Sequence, residues 1–198
     1  MNQAGKTACG VAVVLAALAG MSGCSSAGTS GQQPPATAPT ISPPRQPPDA
    51  TPELQTQLSD AVTRYEQVTN AVYSNPRQDL NVVDTVSTGQ GADSLKSQAK
   101  QVADQHLTVT GAIKVIRVRV VRVDPDPPLP SAPATATVKA CNDVSTTTVT
   151  TPDGKSDVDP KRGPQTQTVL ALTNPTPSNP ATWLVATSEL ATSPCDPA

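Results

Sequence analysis

Apolar residues recur every three or four positions between residues 51 and 75, which is the spacing of one face of an α-helix. These apolar positions are Leu54, Leu58, Ala61, Val62, Tyr65, Val68 and Val72. Thr51, Pro52 and Glu53 have the residue types that favour a helix N-terminus, and Asn75 with Pro76 ends the pattern. The sequence therefore predicts one long helix with a single buried face.

Two shorter helices are predicted next, from sparser apolar spacing. One runs from Asp79 to Thr88, with Gly89 at its C-terminal end. The other runs from Asp93 to about His106. The residues expected to point inward are Leu80, Val83 and Val86 in the first and Leu95, Ala99 and Val102 in the second.

Residues 107–124 change to the β-branched composition that is typical of strands. Their apolar residues fall into two sets of opposite parity: Ile116, Val118 and Val120 against Ile113, Val115, Val121 and Val123. Because side chains alternate between the two faces of a strand, one flat strand cannot bury both sets. A bulge or bend near Gly111 or around Val120 and Val121 would reconcile them.

Three further strands are predicted after a proline-rich break at residues 125–128. They cover Ala134–Cys141, about Gln165–Thr173 and about Thr182–Leu190, with Thr146–Thr150 as a continuation of the first and a turn at residues 151–154. Ala134, Ala136, Val138 and Ala140 share one face. Helices followed by antiparallel strands indicate an α+β domain, with the helices packed on a curved, mainly antiparallel four-stranded sheet.

The start of the chain has the pattern of a signal peptide covering residues 1–23. Lys6 precedes an uncharged apolar run of about 13 residues, which is shorter than the roughly 20 that a spanning helix needs. The sequence Met21-Ser22-Gly23-Cys24 resembles the bacterial lipobox, with Met21 where leucine is usual. The resemblance implies a diacylglyceryl group on the Cys24 thiol and a lipid anchor on the extracytoplasmic face of the cell membrane. The alternative is a spacer cysteine in an ordinary cleaved peptide.

Residues 24–50 combine this cysteine with a segment rich in proline, serine and threonine. Such a composition buries too little apolar surface to offset its ordering entropy, so we expect a disordered linker with polyproline II character. Residues 51–198 then form a single α+β domain. Without the signal peptide the chain has 13 Lys and Arg residues against 16 Asp and Glu, a net charge of −3 that gives no reason to expect nucleic acid.

The order of elements resembles the nuclear transport factor 2-like fold, a cone made of a long helix and a bent sheet. It also resembles the small envelope lipoproteins of mycobacteria and their relatives. The segments that carry this second resemblance are the opening helix, Val138–Asp143, Pro152–Lys155, Trp183–Val185 and Ser193–Cys195. The resemblance implies a tethered envelope domain. From the composition, Trp183 is expected to be a core residue of the last strand, and Val, Leu and Ala are expected to line any cavity.

Four cysteines are present, and two of them remain for the folded domain if Cys9 leaves with the signal peptide and Cys24 is lipidated. In an oxidising compartment Cys141 and Cys195 can pair only with each other, so we predict a disulfide between them. The alternatives are a pair of buried thiols or a redox dithiol, although no Cys-x-x-Cys sequence is present.

No motif for catalysis, a cofactor or a metal stands out in the sequence. His106 is the lone histidine and is expected to be structural. The acidic groups Asp124 with Asp126, and Asp153 with Asp157 and Asp159, lack the closing Glu of an EF-hand loop, so we interpret them as solvated loops. A basic stripe is formed by Lys114, Arg117, Arg119 and Arg122. Arg117 and Arg119 are expected on one face of the strand, with Lys114 and Arg122 on the other. The stripe is either a solvated face or a contact for anionic lipid or wall polymer.

We therefore predict a non-catalytic binding or accessory domain of the cell envelope, without cofactor or metal. Its lipid anchor is expected to hold it at the membrane, and its folded domain is expected to contact envelope proteins or cell-wall polymer. One alternative is a carrier of a small apolar or lipid ligand in the cone. Another is an enzyme with an unrecognised pocket. The scarcity of aromatic residues argues against a carbohydrate-binding module.

Overall fold

The computed structural model describes residues 50–124 and 132–195. The predictions that concern the signal peptide, Cys24, the linker up to residue 49 and the break at residues 125–128 lie outside these ranges. Within them, the helices are all too short or too polar to cross a membrane.

The first helix, α1, covers Pro52–Ser74 and begins and ends where the sequence predicts. Thr51 is its N-cap, and the Thr51 hydroxyl accepts a hydrogen bond from the Leu54 N–H at 3.3 Å. The buried face contains the predicted apolar residues Leu58, Ala61, Val62, Tyr65 and Val72. It also contains two polar residues, Glu66 and Thr69.

The short helix predicted from Asp79 to Thr88 is only a 3-10 helix, Leu80–Thr85. It ends early because the following residues bond to a strand near the C-terminus. The Thr88 N–H donates to the Val185 carbonyl at 2.9 Å, and the Val185 N–H donates to the Val86 carbonyl at 3.0 Å. These bonds tie residues 86–88 to the sheet, and Thr88 is already extended, with φ −145° and ψ 162°.

The third predicted helix is longer than expected: α2 covers Gly89–Asp104. Gly89, which the sequence analysis placed at the end of the preceding helix, instead begins α2 with φ 53°. Gly91 allows this first turn to lie close to the sheet, because a Cβ there would stand 2.8 Å from the Val185 carbonyl oxygen. The predicted inward residues Leu95 and Ala99 are buried.

The strands form a four-stranded antiparallel sheet and a separate pair. The strands are β1 (Thr108–Thr110), β2 (Lys114–Asp124), β3 (Ala134–Asp143), β4 (Thr148–Thr150), β5 (Gln165–Asn174) and β6 (Leu184–Leu190). The larger sheet has the order β2-β3-β5-β6, and β1 pairs with β4. Both helices pack on this sheet, α1 against β2 and α2 against β6. The domain is therefore α+β, which confirms the predicted fold class.

The core lies between the helices and one face of the larger sheet. From β3 the predicted stripe Ala134, Ala136, Val138 and Ala140 is buried there. Trp183, which precedes β6, is 4% exposed and belongs to the same cluster, as the sequence predicts. This face of the sheet is called the inner face below, and the opposite face the outer face.

Two bulges in β2 resolve the parity conflict seen in the sequence. Ile116 and Val121 have no partner in the register with β3, and their side chains are 51% and 48% exposed. The bulge at Val121 was predicted, whereas the one at Ile116 was not. With these two residues set aside, Val115, Val118, Val120 and Val123 all stand opposite inner-face residues of β3.

The same bulges place the basic stripe on a single face. Lys114, Arg117, Arg119 and Arg122 pair in turn with Asp143, Cys141, Lys139 and Thr137, which all belong to the outer face of β3. The prediction that Lys114 and Arg122 lie on the face opposite to Arg117 and Arg119 is therefore wrong. Each bulge adds one residue and so reverses the parity of everything after it.

The segment Thr146–Thr150 does not extend β3, contrary to expectation. Its last three residues form β4 and pair with β1. The break between β1 and β2 is at Gly111, as the sequence predicts, with φ 80°. A Cβ at Gly111 would stand 1.9 Å from the Thr146 carbonyl oxygen, so only glycine fits where the chain after β1 passes the residues before β4.

The predicted disulfide is present: Cys141 and Cys195 are joined, with 5.4 Å between their Cα atoms. Cys141 lies on the outer face of β3, and Cys195 lies in the tail that follows β6. In the same tail, Ser193 accepts a hydrogen bond from the Gln167 side-chain amide at 3.1 Å. Together these contacts hold the tail across the outer face of β3 and β5.

Candidate functional site

A cavity of about 280 Å³ lies between the helices and the inner face of the sheet. Its depth is formed by buried residues, with Glu66 and Thr69 from α1 and Asn142 from β3. Its rim is formed by exposed residues, among them Ser94 and Gln98 of α2 and Ser188 and Leu190 of β6. The cavity is therefore open at the rim and polar at its base, whereas the sequence analysis expected a lining of Val, Leu and Ala.

Helix α1 supplies the base of the cavity because three of its polar side chains share one face. Glu66, Thr69 and Tyr73 are spaced by three and four residues, so they lie above one another on the helix. Tyr65 lies beside them and also lines the cavity. These residues continue the apolar face that holds the helix to the core, and Glu66 follows the fully buried Val62 by one turn.

Asn142 approaches Glu66 from the sheet. It continues the inner-face alternation of β3 after Ala140, at the point where the stripe changes from apolar to polar. Its side-chain amide donates a hydrogen bond to Glu66 Oε1 at 3.0 Å. Glu66 is 5% exposed and Asn142 is 3% exposed, so this contact is almost fully withdrawn from water.

The environment of Glu66 favours its neutral form. Burial raises the pKa of Glu66 to about 7, and the hydrogen bond from Asn142 offsets only part of this effect. A carboxyl with that pKa exchanges its proton near neutral pH. Glu66 is therefore the one carboxyl among the described residues whose pKa is raised into this range.

Two tyrosines complete the polar wall. Burial raises the pKa of the Tyr65 hydroxyl, and a hydrogen bond with Ser188 offsets part of the rise. Burial likewise raises the pKa of Tyr73, whose hydroxyl donates to Gln98 Oε1. Both phenols thus stay protonated at neutral pH and act as neutral hydrogen-bonding groups.

One oxygen atom at the base, Asn142 Oδ1, has no hydrogen-bond partner among the described residues. A buried polar atom without a partner costs roughly 1–3 kcal/mol, which a ligand or water with donor groups would recover. The base of the cavity therefore presents an acceptor that lacks a donor.

The candidates singled out in the sequence lie elsewhere. His106 is exposed after the C-terminus of α2, with φ 54°, and it does not line this cavity. Asp153 binds Lys155 Nζ at 2.6 Å in the turn after β4. Asp126 lies outside the described residues, and within those residues no group of acids, cysteines or histidine has the arrangement of a metal site.

The sequence analysis missed both Glu66 and Asn142, although each carries a signal. Glu66 stands one helical turn after Val62 in the apolar stripe, where a solvated acid does not belong. Asn142 has the parity of the four apolar residues that precede it in β3. A charged or amide group in the middle of a core pattern was thus the indication of a site.

Comparisons with known proteins give weak structural likenesses. No protein family and no curated protein matches the sequence. The intermembrane-space region of the chloroplast protein ARC6 is 10% identical, with a TM-score of 0.49, and the match covers 70% of this chain and 97% of that one. A de novo designed β-sheet protein is 14% identical, with a TM-score of 0.31, over 69% of this chain and 88% of that one.

Proposed function

We propose that this protein is a lipid-anchored, extracytoplasmic binding domain that takes a small polar ligand into the Glu66 cavity. The anchor is inferred from the lipobox-like sequence ending at Cys24, and the linker that follows separates the domain from the bilayer. The observation that carries the binding function is a buried carboxyl beside an amide oxygen without a donor, at the base of an open cavity.

The size of the cavity sets the size of the ligand. Its volume of about 280 Å³ corresponds to about nine water molecules at roughly 30 Å³ each. This is near the lower end of the volumes that small-molecule sites have. The ligand is therefore a small molecule, or one small part of a larger one.

Binding is favoured over catalysis because one group alone in the cavity exchanges a proton near neutral pH. The neighbours of Glu66 are the Asn142 amide, the Thr69 hydroxyl and two phenols of raised pKa. General acid–base chemistry commonly needs a second group of matched pKa. A second candidate function, an enzyme that uses Glu66 as its sole proton-transfer group, is favoured by the pKa of about 7.

Closing the rim of the cavity tests the proposal. Ser94 is exposed at the rim, so Ser94→Trp places an indole over the opening without entering the core. Ser97→Trp is the matched control, because Ser97 is exposed on the same helix and does not line the cavity. We would purify the three proteins from their own cell envelope and measure bound small molecules by native mass spectrometry.

The proposal predicts a bound mass on the wild type and on Ser97→Trp that is lost from Ser94→Trp. Equal spectra for all three proteins would contradict a ligand in this cavity. The same spectra report the anchor, because lipidation at Cys24 adds the mass of acyl chains to a chain shortened by 23 residues. An unmodified intact N-terminus would contradict that part of the proposal.

A further inference from the structure

A second depression adjoins the Glu66 cavity and differs from it in character. Its volume is about 270 Å³, and Tyr73, Gln98 and Ile113 line both spaces. The remaining lining residues are Gln101, Val102, Leu107, Val109, Thr147 and Val149. We call this second space the valine groove. It is mainly apolar, and the three shared residues form its boundary with the polar cavity. Gln98 is exposed and lines both spaces, so their openings lie side by side.

The position of the shared wall is fixed by hydrogen bonds to α1. The Asn70 side-chain amide donates to the Ile113 carbonyl at 2.9 Å, and the Ile113 N–H donates to Asn70 Oδ1 at 2.8 Å. This double contact holds the chain between β1 and β2 against the helix. The wall that the valine groove shares with the Glu66 cavity is therefore fixed to α1 by hydrogen bonds.

The charges of the residues that line the two spaces determine which sign of charge a ligand can carry. No Lys, Arg or His is among their lining residues, and Glu66 is the one acid. An anionic group would enter without a counter-charge and beside a carboxyl, which is strongly unfavourable in a buried site. A cation, by contrast, would gain Glu66 as its partner.

The hydrogen-bonding groups at the base narrow the choice further. The Glu66 carboxylate, Asn142 Oδ1 and Thr69 Oγ1 can all accept, and Asn142 Oδ1 lacks a donor in the described structure. A primary ammonium group carries three donors and no acceptor, so it matches this set. The adjoining apolar groove then provides room for a hydrocarbon chain that passes Gln98 from one opening to the other.

We infer that the ligand is a primary alkylammonium ion, with its ammonium group at Glu66 and its alkyl chain in the valine groove. This inference rests on the proposed function and names the ligand class of the same site. It requires both spaces to act together. The head group alone and the chain alone should each bind more weakly than the whole molecule.

Calorimetric titration of the full chain in a non-ionic detergent tests the inference, with hexylammonium as the probe. Hexanoate has a similar chain and the opposite charge, and methylammonium has the head group without the chain. Titration into detergent alone is subtracted. We expect hexylammonium to bind at least tenfold more tightly than methylammonium, since each buried methylene strengthens binding about fourfold. We expect the same margin over hexanoate, because its carboxylate would lie beside Glu66 without a counter-charge.

Two glutamate variants separate the site from the overall charge. Glu66→Gln keeps the shape of the side chain and removes its charge, so hexylammonium binding should weaken at least tenfold. Glu189→Gln removes the same charge from an exposed position of β6 outside both spaces, and binding should be unchanged. Val109→Thr should weaken hexylammonium while leaving methylammonium unaffected.

Equal affinity for hexylammonium and hexanoate, no binding of hexylammonium, or equal losses in the two glutamate variants would overturn the inference. Each of these results leaves the proposed function open to its own test. If the bound mass on the wild type still disappears in Ser94→Trp, the cavity binds a ligand of another class. If that mass is absent as well, both proposals are wrong.

Discussion

The buried Glu66 should make the stability of this protein fall as the pH rises toward neutrality. Below pH 4.5 the carboxyl is protonated in both the folded and the unfolded chain. Between pH 4.5 and about 7 the unfolded chain loses this proton, whereas the folded chain keeps it because burial has raised the pKa. Folding is thus opposed by about 1.4 kcal/mol per pH unit in that window.

The size of the effect follows from the pKa of Glu66, which rises from 4.5 to about 7. The free energy of unfolding should fall by about 3 kcal/mol across the window and stay level above it. That is a large share of the roughly 5–15 kcal/mol that stabilises a typical domain. Glu66→Gln should remove the dependence, because an amide in place of the carboxyl cannot ionise and its oxygen can still accept from Asn142.

Urea unfolding at several pH values between 4.5 and 7.5 measures the effect, with the fluorescence of Trp183 as the signal. Trp183 is the single tryptophan and is buried, so its emission reports the core. Hydrogen bonds lower the pKa of Asp143 and Asp153 below 3.8, so these acids act outside the window. Parallel curves for the wild type and Glu66→Gln would refute the reasoning, while Glu189→Gln should follow the wild type.

Three further predictions test other parts of the structure. Val123→Ala should lower the free energy of unfolding by about 2 kcal/mol and Val121→Ala by less than about 0.5 kcal/mol, because Val123 is 5% exposed and Val121 is 48% exposed. Equal losses in urea unfolding would show that the two valines share one face of a strand without a bulge. Replacing Cys141 and Cys195 by alanine should cost about 4 kcal/mol, since the disulfide closes a loop with a sequence separation of 54, and reductant should then have no further effect in urea unfolding. Cys24→Ala should release the chain from the membrane fraction, as immunoblotting of fractionated cells would show.

Elements with a strong local signal could be predicted from the sequence. Helix α1 has a capping threonine, a proline at its first position and a regular apolar stripe, and its bounds were correct. The bulge at Val121 followed from parity alone. The disulfide followed from the count of cysteines, which left one pair for the folded domain.

Features that depend on distant partners could not be predicted. The helix after Asp79 is short because residues 86–88 bond to Val185, about a hundred residues later in the chain. The bulge at Ile116 places Lys114 on the same face as Arg117 and Arg119, and it is defined by the register with β3. No local sequence pattern predicts either pairing.

The site itself was missed for the same reason. Glu66 and Asn142 are 76 residues apart, and their contact depends on α1 crossing the inner face of the sheet. Each residue interrupts an apolar pattern, but that interruption alone does not show which residue it contacts. Together they form a buried acid and amide at the base of a cavity, which no motif in the sequence describes.

The most direct measurement of the central claim is the titration of the Glu66 carboxyl by ¹³C NMR, in the free protein and with saturating hexylammonium. Tyr65 and Tyr73, which share its cavity, do not titrate in this range because burial raises the pKa of both. We expect a pKa of about 7 for free Glu66, lowered when the ammonium ion is bound. A pKa near 4.5 in both samples would show that this carboxyl is solvated and does not form a buried binding site.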